Sequence, residues 1–201
     1  MSARVLGKWL AVAVALVSML GLCAELSHID MLVQKLSLSY EGNVPTWVAT
    51  LLLFSSALVA ASIAQRALTF RRHWWGVAAV FAYASLDEAA ELHEHMGGNF
   101  SAGGVLYFDW IIPAAVLLVA LVMIFWPFVR ALEPSTRRRL ILAGAIYVGG
   151  AVLMELPLGW WTDRAGPDSL GYMLIDWVEE TMELAGAALA LHTLVKHREA
   201  A

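Results

Sequence analysis

Six times along this chain of 201 residues, a long and mostly apolar run is closed off by tryptophan, histidine, arginine or lysine. The runs are Trp9–His28, Trp47–Arg66, Trp75–His95, Trp110–Arg130, Arg139–Trp160 and Trp177–Lys196. At about 20 residues each, they match the length needed to cross a hydrocarbon core of about 30 Å. A backbone in that environment must satisfy its hydrogen bonds internally, so runs of this kind are helices. The expected fold class is therefore all-α, a six-helix transmembrane bundle forming one integral membrane domain over residues 1–201. Composition agrees: 60 % of the residues are hydrophobic, against roughly 45–50 % for a soluble domain. The mean hydropathy is +0.69.

The cations set an orientation. Arg4 and Lys8 precede the first run, and Arg66, Arg71 and Arg72 separate the second from the third. Arg130, Arg137, Arg138 and Arg139 separate the fourth from the fifth, and Lys196 and Arg198 follow the sixth. In a six-span arrangement all of these fall on one side, leaving only Lys35 and Arg164 on the other. The positive-inside rule then puts both termini in the cytoplasm and the protein in the cell inner membrane as a multi-pass bundle. The first run resembles a signal peptide, but no Ala-x-Ala site follows it, so it is expected to be a retained helix. The tryptophans at the run ends read as interfacial anchors.

Some functions are disfavoured at this level. No basic stripe with interleaved aromatics is present, which argues against nucleic acid. The single cysteine, Cys23, leaves no internal disulfide and no thiolate-rich metal site.

Of the 17 Asp and Glu residues, only Glu133 and Glu199 fall on the cationic side. Several others sit inside the apolar runs: Glu25 in the first, Asp87, Glu88 and Glu91 in the third, Glu155 in the fifth, and Glu180 and Glu183 in the sixth. Each lies within roughly 5–12 Å of the outer end of its run at 1.5 Å per residue. Ionisable groups at such depth are expensive and need a reason. On a helical projection, Asp87, Glu88, Glu91, Glu94 and His95 share one face of the third run. His93 falls on the far side, as a surface contact. In the sixth run, Asp176, Glu179, Glu180 and Glu183 form another stripe, and Glu25 and His28 share a face of the first. No Lys or Arg lies among the outer halves of the runs, so the carboxylates need a cation or protons to neutralise them.

This pattern admits three readings. The first is a divalent metal site of zinc, manganese or iron near the outer leaflet. Its ligands would be drawn from Glu25, His28, Glu88, Glu91, His95, Glu155, Glu180 and Glu183, an oxygen-rich set with imidazoles. Metal-activated water would then support hydrolysis of a lipid-like or small amphiphilic substrate reached from the bilayer. The second is a proton- or ion-coupled transporter. The third is a non-catalytic subunit of a larger membrane complex.

The stretch Leu86-Asp-Glu-Ala-Ala-Glu-Leu-His-Glu94, with Glu155 and the run Val178-Glu-Glu-Thr-Met-Glu-Leu-Ala-Gly186, resembles small bacterial multi-pass membrane proteins of unassigned function. The likeness covers the third, fifth and sixth runs. It implies a membrane fold and brings no activity with it.

Overall fold

The structure is a computed structural model and describes residues 2–97 and 103–200, with Glu94 described by its backbone alone. Among the described residues it is all-helical, with no strand. In order, the chain forms α1 (Ala3–Ser27), the short α2 (Asp30–Leu36), α3 (Val44–Arg66) and α4 (Arg71–Ala90). After two single-turn 3-10 segments come α5 (Ile111–Ala131) and α6 (Pro134–Val148). A π-helical stretch, Gly149–Met154, joins α6 directly to α7 (Glu155–Ala165), and α8 (Leu170–Ala200) ends the bundle.

Among the described residues, four helices are long and apolar enough to cross a membrane: α1, α3, α5 and the continuous Pro134–Ala165 rod. They expose the side chains such a helix would turn to lipid, including Val12, Leu16 and Met19 on α1 and Val116, Val119 and Met123 on α5. In water, so much contiguous apolar surface would be unusual. α4 and α8 fall short of that apolar standard because they carry the acids, with Asp87 and Glu88 on α4 and Asp176, Glu179, Glu180 and Glu183 on α8.

Local chemistry explains where two of the rods start. Asn43 caps α3 by accepting a hydrogen bond from the Thr46 amide at 3.2 Å, and Pro45 occupies the first turn. Glu133 caps α6 by accepting from the amides of Ser135 and Thr136, each at 3.0 Å, with Pro134 next in line. The helix of the fifth apolar run consequently begins at Pro134, five residues before the Arg139 start that hydropathy gives. The larger difference is at the third. Hydropathy extends it to His95, yet α4 stops at Ala90.

The helix stops there because Glu91 takes a left-handed conformation (φ 54°), its amide still donating to the Asp87 carbonyl at 2.7 Å. The chain then curls back. The His93 amide donates to Asp87 Oδ1 at 2.9 Å and its ring Nδ1 meets Asp87 Oδ2 at 3.0 Å. A single aspartate on the last turn of α4 thus captures both the backbone and the side chain of a residue just past the helix end.

α8 is the central element, packed on α1, α3, α6, α7 and the π stretch. One apolar core joins Leu52 and Leu53 of α3 with Leu184, Ala187 and Leu191 of α8, covered by Leu6, Leu10 and Val14 of α1. A second core lies toward the chain termini, where Phe128 meets Trp74 edge-on at 4.9 Å beside Ala60, Ala64 and Leu194. Polar ties cross between helices: Trp177 Nε1 donates to the Ser18 carbonyl at 2.8 Å, and Ser85 Oγ to the Thr50 carbonyl at 3.0 Å. At the far end the Ala3 amide donates to Glu199 at 3.0 Å, holding the two chain ends together.

The α6–α8 contact relies on missing side chains. A methyl group on Gly150 would lie 2.7 Å from the Glu179 carbonyl oxygen, and one on Gly186 would lie 2.6 Å from the Tyr147 nitrogen. Small residues at such crossings let helix backbones approach closely. Here the approach brings the π stretch onto the acidic face of α8.

Candidate functional site

The acidic faces meet around one cavity of about 670 Å³. α8 contributes Tyr172, Asp176, Glu179, Glu180 and Glu183 to its wall, and α4 contributes Asp87 and Glu88. Glu155 enters from the start of α7, just after the π stretch. Two connecting segments add Glu41 and Asp109. Among the described residues, the lining therefore holds nine carboxyl groups and one imidazole, that of His93, with no lysine or arginine. Aromatic rings interleave with them: Tyr83, Tyr107, Phe108, Trp110 and Tyr147. α5 adds only apolar groups, from Pro113 to Leu121.

Several of the carboxylates are held by specific neighbours. Trp110 Nε1 donates to Glu155 Oε1 at 3.0 Å, and the Trp110 ring lies 4.8 Å from the His93 ring. Asp87, His93, Trp110 and Glu155 thus form one continuous polar and aromatic wall. The Ser39 hydroxyl donates to Asp176, and the Tyr147 hydroxyl hydrogen-bonds Glu183. Glu88, Glu180 and Glu183 lie close enough to feel one another's charge. Glu179 is 7 % exposed, and its Oε2 has no hydrogen-bond partner among the described residues. The π stretch has a use here. One wide turn in an α-helix shifts the register of the residues beyond it, and such bulges recur at functional sites. In this chain the shift comes immediately before Glu155.

The sequence-derived ligand set divides in two. Glu88, Glu155, Glu180 and Glu183 line the cavity together. Glu25, His28, Glu91 and His95 do not. Glu25 accepts a hydrogen bond from the Ser37 hydroxyl and ties the end of α1 to the end of α2. His28 is the exposed left-handed residue that closes α1. Glu91 closes α4 in the same way, and its carbonyl accepts from Nδ1 of the exposed His95 at 2.7 Å. The helical projection fails for Glu91 and His95 because it assumes that the helix continues past Ala90. Once the chain leaves the helix, phase carries no information. For the same reason His93, projected away from the site, is folded into it.

Sequence reasoning does not single out Glu41, Asp109, His93, Trp110 or Tyr147 as site residues. The first two look like loop groups in water, yet Asp109 is 2 % exposed. Asp176 and Glu179 lie on the visible stripe of α8, and that stripe is the signal that could have found them. Among the described residues, no three of His, Cys, Asp and Glu converge closely enough to hold a metal ion. The carboxylates are spread around a volume, not gathered at a point.

The family profile of a domain of unknown function (DUF8692) matches residues 9–197. The chain belongs to that family. The match includes every residue that lines the cavity. No curated protein and no solved structure matches the chain.

Proposed function

We propose that this is a six-span inner-membrane protein, both termini cytoplasmic, that binds a cation in its acidic cavity in exchange for protons, as an ion-coupled transporter does. The observation that carries the reading is the lining itself: among the described residues, nine carboxyl groups, one imidazole and no fixed cation around about 670 Å³. Like charges in a low-dielectric interior need a counter-charge. Where no cation is bound, protons are the counter-charge at hand, and an entering cation displaces them. Two further features support the membrane arrangement. α4 and α8, although too acidic to read as lipid-facing helices, each match one of the apolar runs in position and are flanked by basic residues at the same end. Their carboxylates turn to the interior, where a spanning helix can carry them.

The test is binding and flux with the purified full-length chain. In lipid nanodiscs, cation binding should release protons to a weakly buffered solution, and Glu180→Gln together with Glu183→Gln should abolish both. In proteoliposomes, an imposed pH gradient should drive cation uptake. Binding without proton release would refute the coupling. A reporter fused after Ala201 that proved to lie outside the cytoplasm would overturn the topology.

A second reading, metal-dependent hydrolysis of a lipid-like substrate, is favoured by one observation: the His93 imidazole stands among carboxylates on the cavity wall. It requires side chains now spread apart to converge on zinc, manganese or iron. One tightly held metal ion per purified chain, together with ester hydrolysis that is lost on chelation, would establish it over the transport reading.

A further inference from the structure

We infer that the cation this cavity takes is an organic amine, an ammonium group on an aliphatic body, and not a bare metal ion. The inference rests on the cation-binding reading above and narrows it. It starts from the asymmetry of the lining. α8 supplies carboxylates, while α5 supplies only Pro113, Ala114, Leu117, Leu118 and Leu121. A bare ion gains nothing from an apolar wall. It needs several oxygens at one point, and no three such groups converge among the described residues. A cavity of about 670 Å³ is instead the size of a small-molecule site.

A second, independent observation points to a ligand. Glu179, only 7 % exposed, lines the cavity, and its Oε2 has no hydrogen-bond partner among the described residues. A buried carboxylate oxygen left unpaired is costly. An ammonium group carries three N–H donors and would satisfy it along with neighbouring carboxylates. The rings of Tyr83, Trp110 and Tyr172 add faces on which a cation is attracted. The aliphatic part of the ligand then lies on the α5 wall. The nine carboxyl groups disfavour an anionic amphiphile, and a neutral one would bring them no counter-charge.

Binding of n-propylamine through n-hexylamine to the full chain in zwitterionic nanodiscs, measured by calorimetry with protein-free discs subtracted, tests this. Affinity should rise about three- to fourfold with each added methylene. Alcohols and carboxylates of the same lengths should bind at least tenfold more weakly. Glu179→Gln should cost tenfold or more for every amine. Leu118→Trp, which fills part of the apolar α5 wall and replaces no carboxylate, should flatten the rise of affinity with chain length. That variant keeps the proposal testable if Glu179→Gln fails to fold. If manganese or zinc binds and no amine does, the amine inference is overturned and the cation reading stands. If neither amines nor metal ions bind, both fall. Alcohols binding as tightly as amines would overturn the inference by showing a merely greasy pocket.

Discussion

Gly150→Ala is the sharpest test of how the site is assembled. The added methyl would lie 2.7 Å from the Glu179 carbonyl oxygen, 2.9 Å from Glu183 Cγ and 3.2 Å from the Glu183 nitrogen. Ordinary contact begins at 3.4 Å, so α8 and the π stretch would have to part by about 0.7 Å. Two of these three atoms belong to backbone and cannot rotate aside. Overpacking of this kind costs roughly 1–3 kcal/mol. Alanine returns up to about 1 kcal/mol through its better helix propensity. The net expectation is a loss of about 1 kcal/mol, or a thermal midpoint lower by about 2–4 °C for a chain of this size. The control is Gly144→Ala in α6, where the new methyl meets nothing within 4 Å. That variant keeps the propensity gain without the steric cost, so its midpoint should rise by about as much as the other falls. Both would be measured by thermal unfolding in the same nanodiscs. Because the obstructed atoms belong to Glu179 and Glu183, Gly150→Ala should also weaken cation binding while Gly144→Ala leaves it alone. If Gly150→Ala proves as stable as Gly144→Ala, the close approach of the π stretch to α8 is wrong, and the cavity geometry with it.

Four other outcomes rest on single contacts. Asp87→Ala removes both bonds to His93, so hydrogen exchange across residues 91–97 should speed up while α4 itself stays protected. Glu91→Gly relieves a left-handed residue and should stabilise the protein by about 0.5–1 kcal/mol with cation affinity unchanged, whereas a ligand role for Glu91 predicts lost affinity. Trp110→Phe keeps an aromatic ring, though a smaller one, but drops the bond to Glu155, and should lower stability by about 1–2 kcal/mol in chemical unfolding. Glu133, outside the spanning rods, has its carboxyl lowered to about 2 by the Ser135 hydroxyl and the amides of Ser135 and Thr136. Its ordinary value is 4.5, so the capping contribution is complete above that pH and is lost as pH falls toward about 2. Exchange of the Ser135 and Thr136 amides, corrected for intrinsic rates, should rise over that window in the parent and be flat in Glu133→Gln.

What the sequence determined by itself is the part written in a local period. Long apolar runs identify an all-helical chain with helices long and apolar enough to cross a membrane. The four-residue and three-residue spacing from Asp176 through Glu180 to Glu183 puts one acidic stripe on α8 whatever the helix packs against. Glu88, Glu180 and Glu183 were legible from their phase on their own helices, and Glu155 from its depth. What the tertiary structure alone decided lies where the chain leaves a helix. Glu91 turns left-handed and Asp87 captures His93, so a histidine that phase placed outside lines the cavity and His95 does not. Glu25 shares depth with the other acids and lies close enough to Asp176 to feel its charge, but the Ser37 hydroxyl holds it at the end of α1 and it does not line the cavity, while His28 is the exposed cap of α1. Glu41 and Asp109 sit in connections with no period to read, and only the arrangement of α4, α5 and α8 around one cavity brings them to its wall. Gly150 has no side chain to announce its role, yet its lack of one lets the acidic stripe of α8 and Glu155 face a common space. The physical reason is that periodicity reports which way a side chain points from its own axis, while a site depends on which axes lie side by side and where each one ends.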